Sequence, residues 1–150
     1  MEIDGLRFPD ELLYDEHHQW TRADGDVVTM GVTDYAQSAA GDVVFIELPR
    51  PGLAVKRGQA FASIESGKWV GRLYAPVTGT VLDANELLAK DPRLVNREPY
   101  AEGWVARIAA DDLSELGHLM RSEAAREFVR AEIESERLTD GTSGGPDGES

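Results

Sequence analysis

A chain of 150 residues with a hydrophobic fraction of 41% and a charged fraction of 29% has the make-up of a soluble globular protein able to bury one core. Its net charge of −13 excludes general nucleic-acid binding, which needs a cationic face to displace counterions, and no apolar run approaches membrane-spanning length. The absence of cysteine excludes disulfides, a thiol nucleophile and thiolate metal sites.

The first sixteen residues are acidic and lack a basic segment followed by an apolar one, so they do not read as a secretory signal, and the cytoplasm is the default location. Residues 18–23 lead into Asp24-Gly25, a strong hairpin dipeptide, and 27–32 form the returning strand. Thr33 or Asp34 caps a short helix through Ala40, which Gly41 terminates. Residues 42–48 are β-branched and aromatic and end at Pro49; Pro51-Gly52 and Arg57-Gly58 are turns. Strands over 59–65 and 69–74 flank Ser66-Gly67-Lys68, and 80–84 follow the turn at Pro76 and Gly79. Residues 85–91 predict a short helix broken at Asp91-Pro92, and 104–109 the closing strand. Many short strands at this spacing specify a mainly β (α+β) domain, a small sandwich or barrel. Asp112-Leu113-Ser114-Glu115 has the form of a capping box with Asp at the cap. Residues 122–135 carry Ala125, Phe128, Val129 and Ile133 on one helical face, which either covers the β core or docks a partner. One domain is expected over 1–138, with a disordered tail over 139–150, where periodicity and large apolar residues are both missing. The charge is uneven: residues 111–150 hold 11 acids and 4 arginines.

The chemistry-bearing residues are few. Lys68 lies in a glycine-marked break between two β runs, and a lysine at a hairpin tip projects into solvent where another enzyme can grip and acylate it. The competing reading is an ordinary exposed turn lysine. Glu16-His17-His18 does not form a metal site, because adjacent strand residues face opposite ways and His118 is far off in the chain. Trp20 and Trp104 read as core or sheet-face residues, whereas Trp69 sits beside Lys68. The carboxylates offer no convincing general acid/base set.

Residues 55–81 follow the lipoyl/biotinyl pattern: Val55-x-x-Gly58, then Glu65-Ser66-x-Lys68, then Ala75-Pro76-x-x-Gly79-x-Val81. Further strings extend the match. They are Gly31-Val32-Thr33-Asp34-Tyr35-Ala36-Gln37, Gly41-Asp42-Val43-Val44-Phe45-Ile46-Glu47-Leu48-Pro49, Leu94-Val95-Asn96 and Glu98-Pro99-Tyr100-x-x-Gly103-Trp104. In this order the chain resembles the H proteins of the glycine cleavage system. The resemblance implies a barrel-sandwich hybrid with helices added at the termini. It also implies lipoic acid in amide linkage on Lys68, in an attachment loop of Ser66, Gly67 and Trp69. Gly67 is expected to permit a special backbone geometry, and Glu65 to be a recognition element for the lipoylating enzyme. Such an arm presents its cargo at high effective concentration to successive enzymes and is not itself a catalyst. A biotin carrier fits less well, since Gly67 and Trp69 stand where methionines usually flank the lysine; an unmodified interaction module is a third class.

Three positions depart from the family pattern. Arg72 stands where an acid often follows the lysine, Tyr35 where the family has histidine, and Gln19 where it has glutamate. If these line the arm, the pocket has moved from acidic toward cationic, and an arginine within a few ångströms would disfavour a protonated aminomethyl cargo by roughly 1–4 kcal/mol. That expectation, with the Ser66-Gly67-Lys68-Trp69-Val70-Gly71 string, resembles the H-like lipoate-binding proteins of bacterial sulfur oxidation, whose partner is a heterodisulfide-reductase-like complex. The alternative is a glycine cleavage H protein that takes the aminomethyl group from glycine decarboxylase to aminomethyltransferase, with dihydrolipoamide dehydrogenase reoxidising the arm.

Overall fold

The computed structural model describes residues 2–3, 5–67 and 69–142; Lys68 and residues 143–150, and with them the expected attachment point and most of the expected tail, lie outside that set. In chain order the elements are β1 (Glu2–Ile3), β2 (Leu6–Arg7), β3 (Leu13–Tyr14), β4 (Gln19–Asp24), β5 (Val27–Val32), α1 (Asp34–Ala40), β6 (Val43–Glu47), β7 (Ala54–Val55) and β8 (Ala60–Ser66). They continue with β9 (Trp69–Tyr74), β10 (Gly79–Ala84), α2 (Leu87–Lys90), α3 (Leu94–Arg97), β11 (Ala106–Ala110), a 3-10 helix (Leu113–His118) and α4 (Ser122–Thr142). A six-stranded sheet runs β3-β4-β5-β11-β10-β7, a three-stranded sheet β6-β8-β9, and β1 pairs with β2. Every pairing is antiparallel. Among the described residues, no helix is long and apolar enough to cross a membrane.

The two larger sheets share one core. Val28 and Met30 of β5, Val81 of β10 and Ile108 of β11 pack with Ile46 of β6, Ile64 of β8 and Leu73 of β9. In β10 and β11 the intervening residues Thr80, Leu82, Arg107 and Ala109 are the more exposed ones, the alternation of a strand with one face on the core; β5 is covered on both faces, Thr29 being buried as well. A second cluster lies on the other face of β4: Phe8, Leu12, Tyr14 and Trp20 pack against Ala125 and Val129 of α4. Trp20 is fully buried and its indole N–H donates to the Pro99 carbonyl at 2.8 Å. Its cross-strand partner is Gly31, where a Cβ would sit 2.7 Å from the indole nitrogen. Glycine in β5 therefore makes room for the tryptophan in β4.

Local chemistry sets the helix ends. Thr33, not Asp34, caps α1, its Oγ1 accepting the Ala36 N–H at 3.2 Å. Asp34 instead accepts from the Arg7 N–H and the Gln37 side chain. Gly41 closes the helix at φ 82°, a backbone region natural to glycine. The expected capping box at 112–115 does not close. Asp112 accepts the Ser114 N–H, but Glu115 turns away to accept the Thr78 N–H at 2.6 Å and hydroxyl at 3.1 Å, pinning the 3-10 helix to the Pro76–Gly79 turn. α4 continues to Thr142 past the expected boundary at 138; once its first turns are docked, each further residue adds a hydrogen bond without a new nucleation cost.

Two stability predictions arise here. At Gly79 a Cβ would lie 2.0 Å from the Ala109 carbonyl oxygen, and the paired backbone of β11 cannot withdraw. Gly79→Ala is expected to cost about 1–3 kcal/mol, seen as a lower urea midpoint at unchanged m-value. Burial is the main cause that raises the phenols of Tyr14 and Tyr100 above their ordinary value. The folded protein then keeps protons that the unfolded chain releases near pH 10. Their contribution is complete below about pH 10 and is lost as pH rises above it, so urea midpoints are expected to fall with pH between about 10 and 12.

Candidate carrier site

β8 and β9 pair Ser66 with Trp69, Glu65 with Val70, Ile64 with Gly71 and Ser63 with Arg72. In the sequence, Gly67 and Lys68 are the two residues between the paired Ser66 and Trp69, the spacing of a two-residue hairpin loop. The chain has two other lysines, Lys56 and Lys90; the first follows β7 and the second ends α2, and neither lies in such a connection. Ser66 is buried and Glu65 exposed. The expectation for Gly67 is corrected: its φ is not left-handed, and a Cβ there would meet nothing within 4 Å. No strain inside the molecule requires glycine at this position.

Beside the hairpin opens a cleft of about 230 Å³. Val32, Ile64 and Leu73 form its apolar floor, Trp69 one wall, and His17 with Tyr74 another. Trp69 and Gly71 share a face of β9, and the indole lies where a Gly71 Cβ would be, 2.0 Å from the ring. The His17 ring stacks on Tyr74 at 4.2 Å and separates the cleft from a second cavity of about 200 Å³ that also reaches Arg57 and His118. An uncharged, flexible alkyl chain ending in a small sulfur ring fits the first cleft, whose floor carries no charge to desolvate.

The three departing residues do not converge on it. Gln19 is fully buried and behaves as a substitute strand for Tyr74: its Oε1 accepts the Tyr74 N–H at 2.7 Å and its Nε2 donates to the Tyr74 carbonyl at 2.9 Å. The same Nε2 donates to Asp15 at 3.0 Å, whose carboxyl is pushed above its ordinary value by burial, against the opposing hydrogen bonds from Gln19 and His17. Gln19 therefore shapes the cleft wall without lining it. Tyr35 is turned toward α4, its hydroxyl donating to Glu132 at 3.2 Å, with its ring edge-on to His18. Burial, then Glu132 and Glu136, raise its phenol above the ordinary value. Arg72 alone reaches the cleft, at its rim, and has no hydrogen-bond or ion-pair partner among the described residues. Among the described residues these three do not form the expected cationic pocket: Gln19 and Tyr35 are used elsewhere.

His17 and His18 also separate as expected, but by a turn and not by strand alternation. His18 has φ 64° and bonds Glu132 at 2.9 Å. The residues that sequence reasoning passed over are Gly71, His17 and Tyr74. Trp69 and Gly71 were visible as same-face neighbours of a strand; the ring stack was not.

The family model described as "Glycine cleavage H-protein" matches residues 12–132. The chain belongs to the glycine cleavage H-protein family. It is similar to the glycine cleavage system H protein of a Thermus thermophilus strain, 43% identical over 127 residues, covering 85% of this chain and 99% of that one. It is similar also to the H protein of Gloeobacter violaceus, 46% identical over 125 residues, covering 83% and 97%. The crystal structure of an H protein from Mycobacterium marinum superimposes with a TM-score of 0.73 at 30% identity, covering 83% of this chain and 98% of that one. The fold is the lipoyl-domain barrel-sandwich hybrid of that family, with an added terminal helix. As a glycine cleavage H-family protein the chain is a non-catalytic carrier whose cofactor is a covalently attached lipoyl group.

Proposed function

We propose that this chain carries the aminomethyl group derived from glycine between glycine decarboxylase and aminomethyltransferase in the cytoplasm, on a lipoyl arm attached to Lys68. The observation that carries the reading is the similarity over nearly the whole length of glycine cleavage H proteins, supported by an apolar cleft beside the paired Ser66 and Trp69, which bracket Gly67 and Lys68 in the sequence. When bound, the lipoyl group supplies a dithiolane that cycles between disulfide and dithiol. The chain's own residues do the rest. The paired strands β8 and β9 hold the attachment point on a rigid element, and Ile64, Leu73 and Trp69 offer a resting surface that excludes water. Gln19 fixes Tyr74, and Tyr74 orients His17 at the cleft wall. A lipoylating enzyme and dihydrolipoamide dehydrogenase complete the set of partners.

The test is glycine-dependent release of carbon dioxide by glycine decarboxylase with the lipoylated protein as acceptor. Saturable turnover is expected. Full lipoylation with no turnover would overturn the glycine reading and leave the sulfur-oxidation carrier, with its heterodisulfide-reductase-like partner. That second reading now rests on Arg72 at the cleft rim, which has no ion-pair partner among the described residues.

Trp69 reports on the resting position. Its emission in the lipoylated protein is expected to change when the arm is reduced, and Gly71→Ala, which forces the indole off β9, is expected to abolish that change. An identical response in the variant would place the arm elsewhere.

A further inference from the structure

The second cavity, of about 200 Å³, takes no part in the carrier chemistry. Its basic lining residues are Arg57, in the turn between β7 and β8, and His118, at the end of the 3-10 helix. Its acidic ones are Asp15 and Glu16, ahead of β4, and the His17–Tyr74 stack is the wall that it shares with the carrier cleft. With 28 acidic residues against 15 lysines and arginines, an ion pair across this space is the arrangement that charge alone would choose. None forms: among the described residues no carboxylate lies at ion-pair distance from Arg57 or His118.

Arg57 instead meets His118, Nη1 to Nδ1 at 3.2 Å, and the same ring nitrogen meets the Glu115 carbonyl oxygen. One nitrogen cannot serve both. A proton on Nδ1 satisfies the carbonyl and leaves the guanidinium, with its five N–H donors, short of an acceptor; a lone pair there serves Arg57 and opposes the carbonyl. On the acidic side, Asp15 is held in place by the backbone N–H groups of His17 and Gln19 and by the Gln19 amide. Glu16 is exposed and has no hydrogen-bond or ion-pair partner among the described residues. The cavity therefore keeps a basic pole and an acidic pole apart, and neither neutralises the other.

We propose that this cavity binds the zwitterion of a small α-amino acid, independently of what Lys68 carries. The carboxylate takes the fork of Arg57 and the ring of His118, a charge-assisted contact of the kind arginine geometry favours. The ammonium takes Glu16 and Asp15. An anion without an ammonium leaves the two carboxylates facing it, and a cation without a carboxylate leaves Arg57 facing it; a zwitterion meets both poles. A metal ion does not fit, since among the described residues no group of three or more histidine, aspartate or glutamate side chains is placed to hold one. Size sets the class: the cavity falls below the roughly 300 Å³ at which drug-sized ligands are housed. It opens to solvent, where salt screens charges, so the affinity is modest.

The experiment follows backbone amide shifts of the full chain by NMR as glycine, the smallest such zwitterion, is added. Saturable shifts at His17, Arg57, Gly58, Ala75 and His118 are expected, with a Kd of about 1–10 mM. Acetate and methylamine, which carry one pole each, are expected to bind about 10-fold more weakly or worse. Arg57→Gln and Glu16→Gln, both at exposed positions, are each expected to weaken glycine about 10-fold. Arg50→Gln, exposed and outside the cavity, is expected to leave it unchanged. Urea midpoints monitor folding, and Glu16→Gln decides alone if the arginine variant is unstable. Acetate binding as tightly as glycine would reduce the cavity to an anion site and overturn the proposal, and methylamine doing so would reduce it to a cation site with the same result. Shifts that fail to saturate by about 100 mM glycine, or wild-type glycine affinity in the folded variants, would also overturn it.

Discussion

Lys68→Arg is expected to reduce carriage to background: no lipoyl mass is added and no glycine-dependent carbon dioxide is released, while the urea midpoint stays at the wild-type value. Arginine keeps the positive charge and most of the length, but its guanidinium stays protonated at any working pH and is a poor nucleophile toward an acyl carbon. The flanking pairs, Ser66 with Trp69 and Glu65 with Val70, belong to the backbone ladder and do not depend on the lysine. Stability and function should therefore separate cleanly. Lys56→Arg and Lys90→Arg are the matched controls and are expected to be lipoylated normally. Lipoylation of the Lys68→Arg chain would show that the arm sits on another lysine.

Gln19→Leu is expected to have the largest effect on stability, about 3–5 kcal/mol. The leucine removes the acceptor for the Tyr74 N–H and the donor to both the Tyr74 carbonyl and Asp15. Three polar groups then lose their partner at a buried site, each at about 1–3 kcal/mol before relaxation and water entry. Gln19→Glu is the sharper probe. Its carboxylate still accepts the Tyr74 N–H but faces the Tyr74 carbonyl and the Asp15 carboxylate with no proton to offer. Protonation restores a donor, so the carboxyl pair in the folded variant holds a proton more tightly than in the unfolded chain. By that sign the variant is most stable at acid pH and loses stability as pH rises toward neutrality. Urea midpoints between about pH 4 and 8 should therefore approach wild type at the acid end. A constant gap across that range would mean that Gln19 does not act through its amide.

Much of this architecture was legible in the chain because it is written in local patterns. The Asp24-Gly25 hairpin, the strands on either side of Gly67 and Lys68, and the α1 cap each depend on neighbours within a few residues. The two-residue strands β3 and β7 were not legible, since two residues show no period. α3 follows Pro92 and is too short for a helical repeat; it is held by Asn96, whose side chain accepts from Val43 and donates to Gly41. The site was half legible. Lys68 stands out through its flanking strands and the family pattern. Its surroundings were misread because Gln19 meets Tyr74 across 55 residues and Tyr35 meets Glu132 across 97, separations at which sequence position says nothing about direction. An inference from charge at three family positions assumed that they face one cavity. The structure sends one into the interior and one to the terminal helix, leaving only Arg72 to influence the cargo.

The claim on which the rest depends is that Lys68 bears the lipoyl arm. Peptide mass analysis of the chain purified from cells with active lipoylation tests it directly. The account predicts a lipoyl adduct on the peptide containing Lys68, with Lys56 and Lys90 unmodified. A bare Lys68 in cells that lipoylate their other carriers would contradict it.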